Sequence, residues 1–384
     1  MRAASSALII TLKGEILVSD KEKRKKDVPI SEADPKALDE LVSKIQKKNE
    51  EAVAKIKETS NKDIFELLEE DIKDSDLPQE EKTERLAKIL ALKTKKVHIL
   101  LVGATGAGKS STINALFNMD VAKIGVGVDP ETDSITSYSL GNLIIYDTPG
   151  LGDGKNDSAY TDLIVKKLCE QDDEGNSIID LVLVVLDASS KDLGTSYQLI
   201  NDVILPCIGK ENSDRVLVAL NQADMAMKGK HWDSANNEPD EVLQSFLKEK
   251  AASVEERIYS MTGVHTRPIC YCAGYKENDL PQLEAYNLTK LLYYIVQSIP
   301  QEKRLVIVNN INPDKDKWLH DDAEEEYKEK VKQSFWEALV DSVFDTAEDG
   351  SSIGERFFGI PGKLLGTIIG GALGVIKGLF KNRR

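Results

Sequence analysis

Cysteine is scarce in this chain, with four in 384 residues. Cys169, Cys207, Cys270 and Cys272 have no regular framework spacing, which excludes a disulfide-stapled scaffold and fits a reducing compartment. The C-x-C pair at 270 and 272 lacks the second cysteine pair of a zinc site, and packing in a buried strand is the simpler expectation. Basic residues are also in deficit. Fifty Lys and Arg stand against 65 Asp and Glu, a net charge of −15. A phosphate backbone would be repelled, so no general nucleic-acid partner is expected. Long apolar runs are missing as well. Ala7–Ile10 is too short for a secretory core and lacks a cleavage pattern, so no signal peptide is expected. Leu364 to Ile376 falls short of the ~20 residues that a membrane span needs. No repeat of domain scale is present. The composition therefore points to a cytoplasmic protein, with peripheral contact at a membrane surface as a further expectation.

What is present is concentrated around residue 103. The apolar run Val97–Val102 leads into Gly103-Ala104-Thr105-Gly106-Ala107-Gly108-Lys109-Ser110, which fills every fixed position of the phosphate-loop pattern G-x-x-x-x-G-K-[ST]. Ser111 and the residues to Phe117 read as the helix that follows. Backbone N–H groups of such a loop converge on phosphate oxygens, and the helix adds its positive end. Lys109 is expected at the β- and γ-phosphates and Ser110 at Mg²⁺. A nucleoside triphosphate site is predicted here.

Two strand ends extend the site. Asn142–Tyr146 reads as a buried strand ending in Asp147-Thr148-Pro149-Gly150. An acid at a strand's C-terminal edge faces the phosphates in an open α/β sheet, so Asp147 is expected to hold Mg²⁺ through a water. Gly150 would offer an amide to the γ-phosphate. The strand Arg215–Leu220 ends in Asn221-Gln222-Ala223-Asp224. Here the chain resembles the GTPases of the translation-factor class, whose guanine motif is [NT]-[KQ]-x-D. The resemblance implies that Asp224 accepts from guanine N1–H and the 2-amino group, that Asn221 bridges neighbouring loops, and that Gln222 covers the base without the usual lysine's charge. Cys272-Ala273-Gly274 stands where the class has Ser-Ala-Lys, leaving the Ala273 amide for the guanine O6. Thr132, in the Gly-rich segment 125–132, is the expected switch threonine capping Mg²⁺, with Thr136 as the alternative. A solvated turn at Asp129-Pro130 explains the same residues equally well.

One departure bears on catalysis. Leu151 follows Gly150 where small signalling GTPases carry a water-orienting Gln, and Gly106 stands where potassium-activated relatives have Asn. The wording G-A-T-G-A-G-K-S-S-T-I-N-A-L with D-T-P-G-L-G-D is similar to Era-like, septin and immunity-related GTPases. That resemblance implies slow hydrolysis of GTP to GDP and phosphate, completed by a homodimer across the nucleotide face. Lys109, Thr132 and Gly150 are the catalytic candidates.

The resemblance covers residues 96–300, where strands and helices alternate as in a doubly wound α/β sheet, with Ile178–Leu186 as a strand buried on both faces. Residues 1–95 are read as an N-terminal helical region and 301–350 as a C-terminal one. Stripes at Leu38, Leu41, Val42 and Ile45, at Ile64, Leu67, Leu68 and Ile72, at Leu86, Ile89 and Leu90, and at Tyr327, Val331, Phe335, Leu339 and Val343 predict helices. These helices are expected to pack together beside the G domain, a layout resembling immunity-related or dynamin-like GTPases. The basic run Lys21–Lys26 reads as an exposed loop, with a lipid or nucleic-acid contact as its alternative. Residues 351–384 form a tail with Gly362, Gly366, Gly370, Gly374 and Gly378 at four-residue spacing, flanked by Lys381, Arg383 and Arg384. Such spacing suits close helix contact in lipid or against a partner, and the basic end suits anionic headgroups. A buried or autoinhibitory helix and a disordered tail are the alternatives. Three functional readings remain: a switch for self-association and membrane contact, a membrane-perturbing effector gated by the G domain, and a nucleotide-binding scaffold that does not turn over.

Overall fold

The computed structural model describes residues 7–10, 16–19, 63–117, 119, 123–125, 135–150, 157–274 and 284–344. The stripe at 34–45, Thr132, Leu151, the basic run at 21–26 and the glycine-spaced tail lie outside them. The chain divides after Lys55 into two units. In the first, β1 (Ala7–Ile10) pairs antiparallel with β2 (Ile16–Ser19).

In the second unit, helix α1 (Ile64–Asp74) starts where Asp63 Oδ1 accepts the Phe65 amide at 2.8 Å, the side-chain cap that an N-terminus requires. Helix α2 (Gln79–Thr94) follows. Then come β3 (Val97–Val102), α3 (Lys109–Leu116), β4 (Lys123–Gly125), β5 (Thr136–Leu140), β6 (Leu143–Asp147) and α4 (Asp157–Leu168). Strand β7 (Leu181–Asp187) leads to α5 (Gly194–Gln198), a π turn at Leu199–Ile204, and α6 (Leu205–Ile208). The sequence pattern predicts one α-helix over 193–205. Pro206 has no N–H to give to Asp202, and the Leu205 amide reaches back five residues to Ile200 instead. Strand β8 (Val216–Asn221), the small hairpin β9 (Trp232–Asp233) and β10 (Glu238–Pro239), α7 (Glu241–Thr262) and β11 (Ile269–Cys270) come next. The last strand is shorter than the predicted 267–272 because Pro268 cannot donate to the ladder. Helices α8 (Leu288–Ser298), α9 (Leu305–Val308) and α10 (Tyr327–Val343) complete the unit.

The seven-stranded sheet runs β11-β8-β7-β3-β6-β5-β4. Its first five strands are parallel, and β5 and β4 are antiparallel additions. Alternation sends successive side chains to opposite faces. Val97, Ile99 and Leu101 of β3 join Leu183 and Val185 of β7 in one core, while Leu100, Val102, Val182 and Val184 face the other. Both faces are covered, which is why β7 reads as an unbroken apolar run. The second face carries α4, the 194–208 helical run and α7. On the first face, α1, α2 and α10 come together from the two flanks, and Leu68, Ile89 and Phe335 share one core with the strands. The parallel strands all end toward one edge, where the loops after β3, β6, β8 and β11 meet.

Candidate nucleotide site

The loop after β3 wraps the start of α3. The Lys109 Nζ is nearly buried and donates to the Gly103 carbonyl at 3.0 Å and the Ala104 carbonyl at 3.4 Å. Thr105, Gly106, Ser110 and Ser111 are exposed along the rim, and Ala107 is buried beneath it. Ser110 Oγ donates to Asp147 Oδ2 at 3.2 Å, bringing together two of the residues proposed for the metal. The Asp147 Oδ1 is buried and has no hydrogen-bond partner among the described residues. Burial pushes this carboxyl above the ordinary carboxylate range, with the Lys109 charge and the Ser110 hydroxyl opposing. A buried, unpaired oxygen on an acid beside a serine hydroxyl is costly alone and fits a hard cation that takes oxygen ligands. Ser110 and Asp147 therefore suit Mg²⁺, which when bound would neutralise phosphate charge.

The turn after β6 is held tightly to the same loop. Thr148 Oγ1 donates to the Leu101 carbonyl at 2.7 Å and lies 3.1 Å from the Tyr160 hydroxyl of α4. Tyr160 also bonds the Gly103 backbone, and burial pushes its hydroxyl up to about 12. Gly150 presses on Thr105: a Cβ there would lie 1.9 Å from Thr105 Oγ1 and 2.7 Å from its amide nitrogen. Thr136, the alternative switch threonine, opens β5 in register with Asp147. That makes it a ladder residue and not part of the loop before it.

The base side is built from β8 and β11. Asn221 is buried, and its Nδ2 donates to the Ala107 carbonyl at 3.0 Å while its Oδ1 accepts the Ala273 amide at 3.0 Å. One side chain thus ties the phosphate loop to the loop after β11. Gln222 sits at φ 62° and its Nε2 donates to the Gly106 carbonyl at 2.7 Å. Asp224 stands beside the buried Cys272 thiol. Burial first, then the Asp224 charge and their shared hydrogen bond, hold that thiol in its protonated form. The structure brings Asn221, Gln222, Asp224, Cys272 and Ala273 to one wall, adjoining the phosphate loop.

Gly108 shows how closely the two halves fit. Its φ is 89°, and a Cβ would lie 2.1 Å from Asn221 Nδ2. Gly108→Ala is expected to destabilise the fold by about 1–3 kcal/mol, the cost of overpacking. It should also weaken guanine-nucleotide binding about tenfold or more by displacing Asn221. Urea midpoints and GDP titration read the two effects separately.

Three contributors escape sequence reading. Tyr160, Thr112 and Tyr271 look like core positions, and only folding shows their hydroxyls meeting the site. Helical spacing of Tyr160 with Ile164 and Leu168 marks a buried face but names no polar partner.

Residues 98–222 match the family model of the 50S ribosome-binding GTPases. With the phosphate loop after a central parallel strand, this defines the class: the chain carries the G-domain fold of P-loop GTPases. GTP-binding protein A of Dictyostelium discoideum is 27% identical over 180 residues, 45% of this chain and 39% of that protein. The chain thus spans well under half the length of this relative. Among solved structures, Toc33 from Arabidopsis thaliana in complex with GDP and Mg²⁺ is 20% identical with a TM-score of 0.38, covering 61% of this chain and 93% of that one. The LeoA bacterial dynamin GTPase from ETEC is 17% identical with a TM-score of 0.35, covering 72% and 42%. No helix among the described residues is long and apolar enough to cross a membrane.

Proposed function

We propose that this chain is a Mg²⁺-dependent GTPase that hydrolyses GTP to GDP and phosphate and uses the nucleotide state to control self-association. The two hydrogen bonds of Asn221, to the Ala107 carbonyl and from the Ala273 amide, carry the guanine reading, because they join a phosphate loop to a base-reading wall. Lys109 and the loop amides hold the β- and γ-phosphates, Ser110 and Asp147 hold the cation, and Asp224 with the Ala273 amide reads the base. Thr132 and the Gly150 amide complete the γ-phosphate side as the switch elements. Hydrolysis by water follows from positioning and charge stabilisation.

Leu151 supports the self-association part of the proposal, since a leucine cannot orient the attacking water and a second copy can supply that group across the nucleotide face. The glycine-spaced, basic tail supports anionic-membrane contact as the output, with the protein otherwise cytoplasmic. GTP turnover per molecule is expected to rise with protein concentration. Removal of residues after Glu355 should abolish binding to anionic liposomes while leaving turnover in place. A specific rate independent of concentration overturns the self-association reading, and unchanged liposome binding overturns the role of the tail.

A further inference from the structure

Tyr271 is fully buried between β11 and the base-reading loop, and it touches three motifs at once. Its amide donates to the Leu220 carbonyl at 2.9 Å and its carbonyl accepts the Ala223 amide at 3.1 Å, next to Asp224. Its hydroxyl lies 2.5 Å from Thr112 Oγ1, in the first turn of the phosphate-loop helix. Thr112 is also fully buried, and its hydroxyl donates to the Gly108 carbonyl at 2.7 Å. The threonine proton is spent on that carbonyl, so the Tyr271 hydroxyl is the donor in the pair. Cys272 and Ala273, the base-loop residues, follow directly in the chain. A phenylalanine would fill the same apolar space, so the hydroxyl is not needed for core volume.

We infer that Tyr271 and Thr112 are positioning residues that fix the guanine-reading wall in register with the phosphate loop and so set guanine specificity. The inference rests on the guanine reading of this site. Asn221, itself buried, links the same two parts through their backbones, and the Tyr271–Thr112 pair is a second link between them. With both in place, Asp224 and the Ala273 amide are held at a constant distance from the phosphates. Loss of the second link should let the wall shift, which penalises the ligand making the most base contacts.

The test uses the full chain and titrates Mg²⁺-GDP and Mg²⁺-IDP, the second lacking the 2-amino group that Asp224 would receive. Tyr271→Phe and Thr112→Val are each expected to weaken GDP binding about tenfold, to weaken IDP binding clearly less, and so to narrow the GDP-to-IDP ratio. The double variant should be no worse than the more affected single variant, because the pair acts as one link. Thr112→Ser keeps the hydroxyl and is expected to behave as wild type. Equal losses for GDP and IDP, or losses that add in the double variant, overturn the inference while leaving the guanine reading intact. A wild-type chain with no preference for GDP overturns the guanine reading itself.

Discussion

Lys109→Ala is expected to lower GTP turnover by about 10²–10³-fold, the cost of removing one preorganised positive group from developing phosphate charge. Lys109 is the sole basic residue between Gly103 and Ser110, and its Nζ is poised on two loop carbonyls, those of Gly103 and Ala104. Its charge also opposes the burial of Asp147, so its loss should weaken the cation site as well. The Val97–Val102 strand and both core layers do not depend on this amine, and the variant should melt close to the wild type. Single-turnover measurement with saturating Mg²⁺-GTP checks the chemistry separately from binding. Turnover within threefold of wild type would remove the loop from the mechanism.

The second large effect is a change of base. Asp224 offers two acceptor oxygens, which under the proposed function would pair with two donors on guanine. In Asp224→Asn one of these becomes an amide donor facing the guanine 2-amino donor, and a buried unmatched pair costs the full desolvation of both groups. Discrimination of this kind reaches about 10⁴-fold in sites built on paired hydrogen bonds. GTP affinity is therefore expected to fall by at least about 10³-fold. Xanthosine triphosphate, which carries an oxygen at that position, should bind the variant better than GTP does. Competition titration with the two nucleotides reads the inversion directly. Retained preference for GTP in Asp224→Asn would show that the base is read elsewhere.

Much of the fold was legible because its cause is local. Two-faced burial of β7 follows from an unbroken apolar run, and α1 and α10 follow from apolar residues three and four apart. The phosphate loop was legible because its glycines, lysine and serine are adjacent in sequence. Non-local contacts were not. Tyr271 and Thr112 are 159 residues apart, and nothing in either neighbourhood distinguishes a latch from a core residue. The far end of the phosphate-loop helix is another case. Asn312 donates its amide to the Leu116 carbonyl at 2.9 Å and its Nδ2 to the Asn114 carbonyl at 2.9 Å. These bonds satisfy helix-end carbonyls that a local reading leaves without partners. Pro206 and Pro268 act in a different way: neither has a backbone N–H to donate, so the helical run takes π spacing before the first and the last strand begins only after the second. The helices at the two flanks read as a layer of their own, and in the structure that layer shares its core with the sheet, because Leu68, Ile89 and Phe335 reach the same apolar cluster as β3 and β7.

Calorimetric titration of the full chain with GDP and with ADP, each in the presence and absence of Mg²⁺, tests the central claim most directly. The geometry of Asn221, Asp224 and Ala273 predicts that GDP binds at least about 10²-fold more tightly than ADP. Ser110 with the unpaired Asp147 oxygen predicts that chelating Mg²⁺ weakens GDP binding. Equal affinity for the two nucleotides, or GDP binding indifferent to Mg²⁺, would contradict the account.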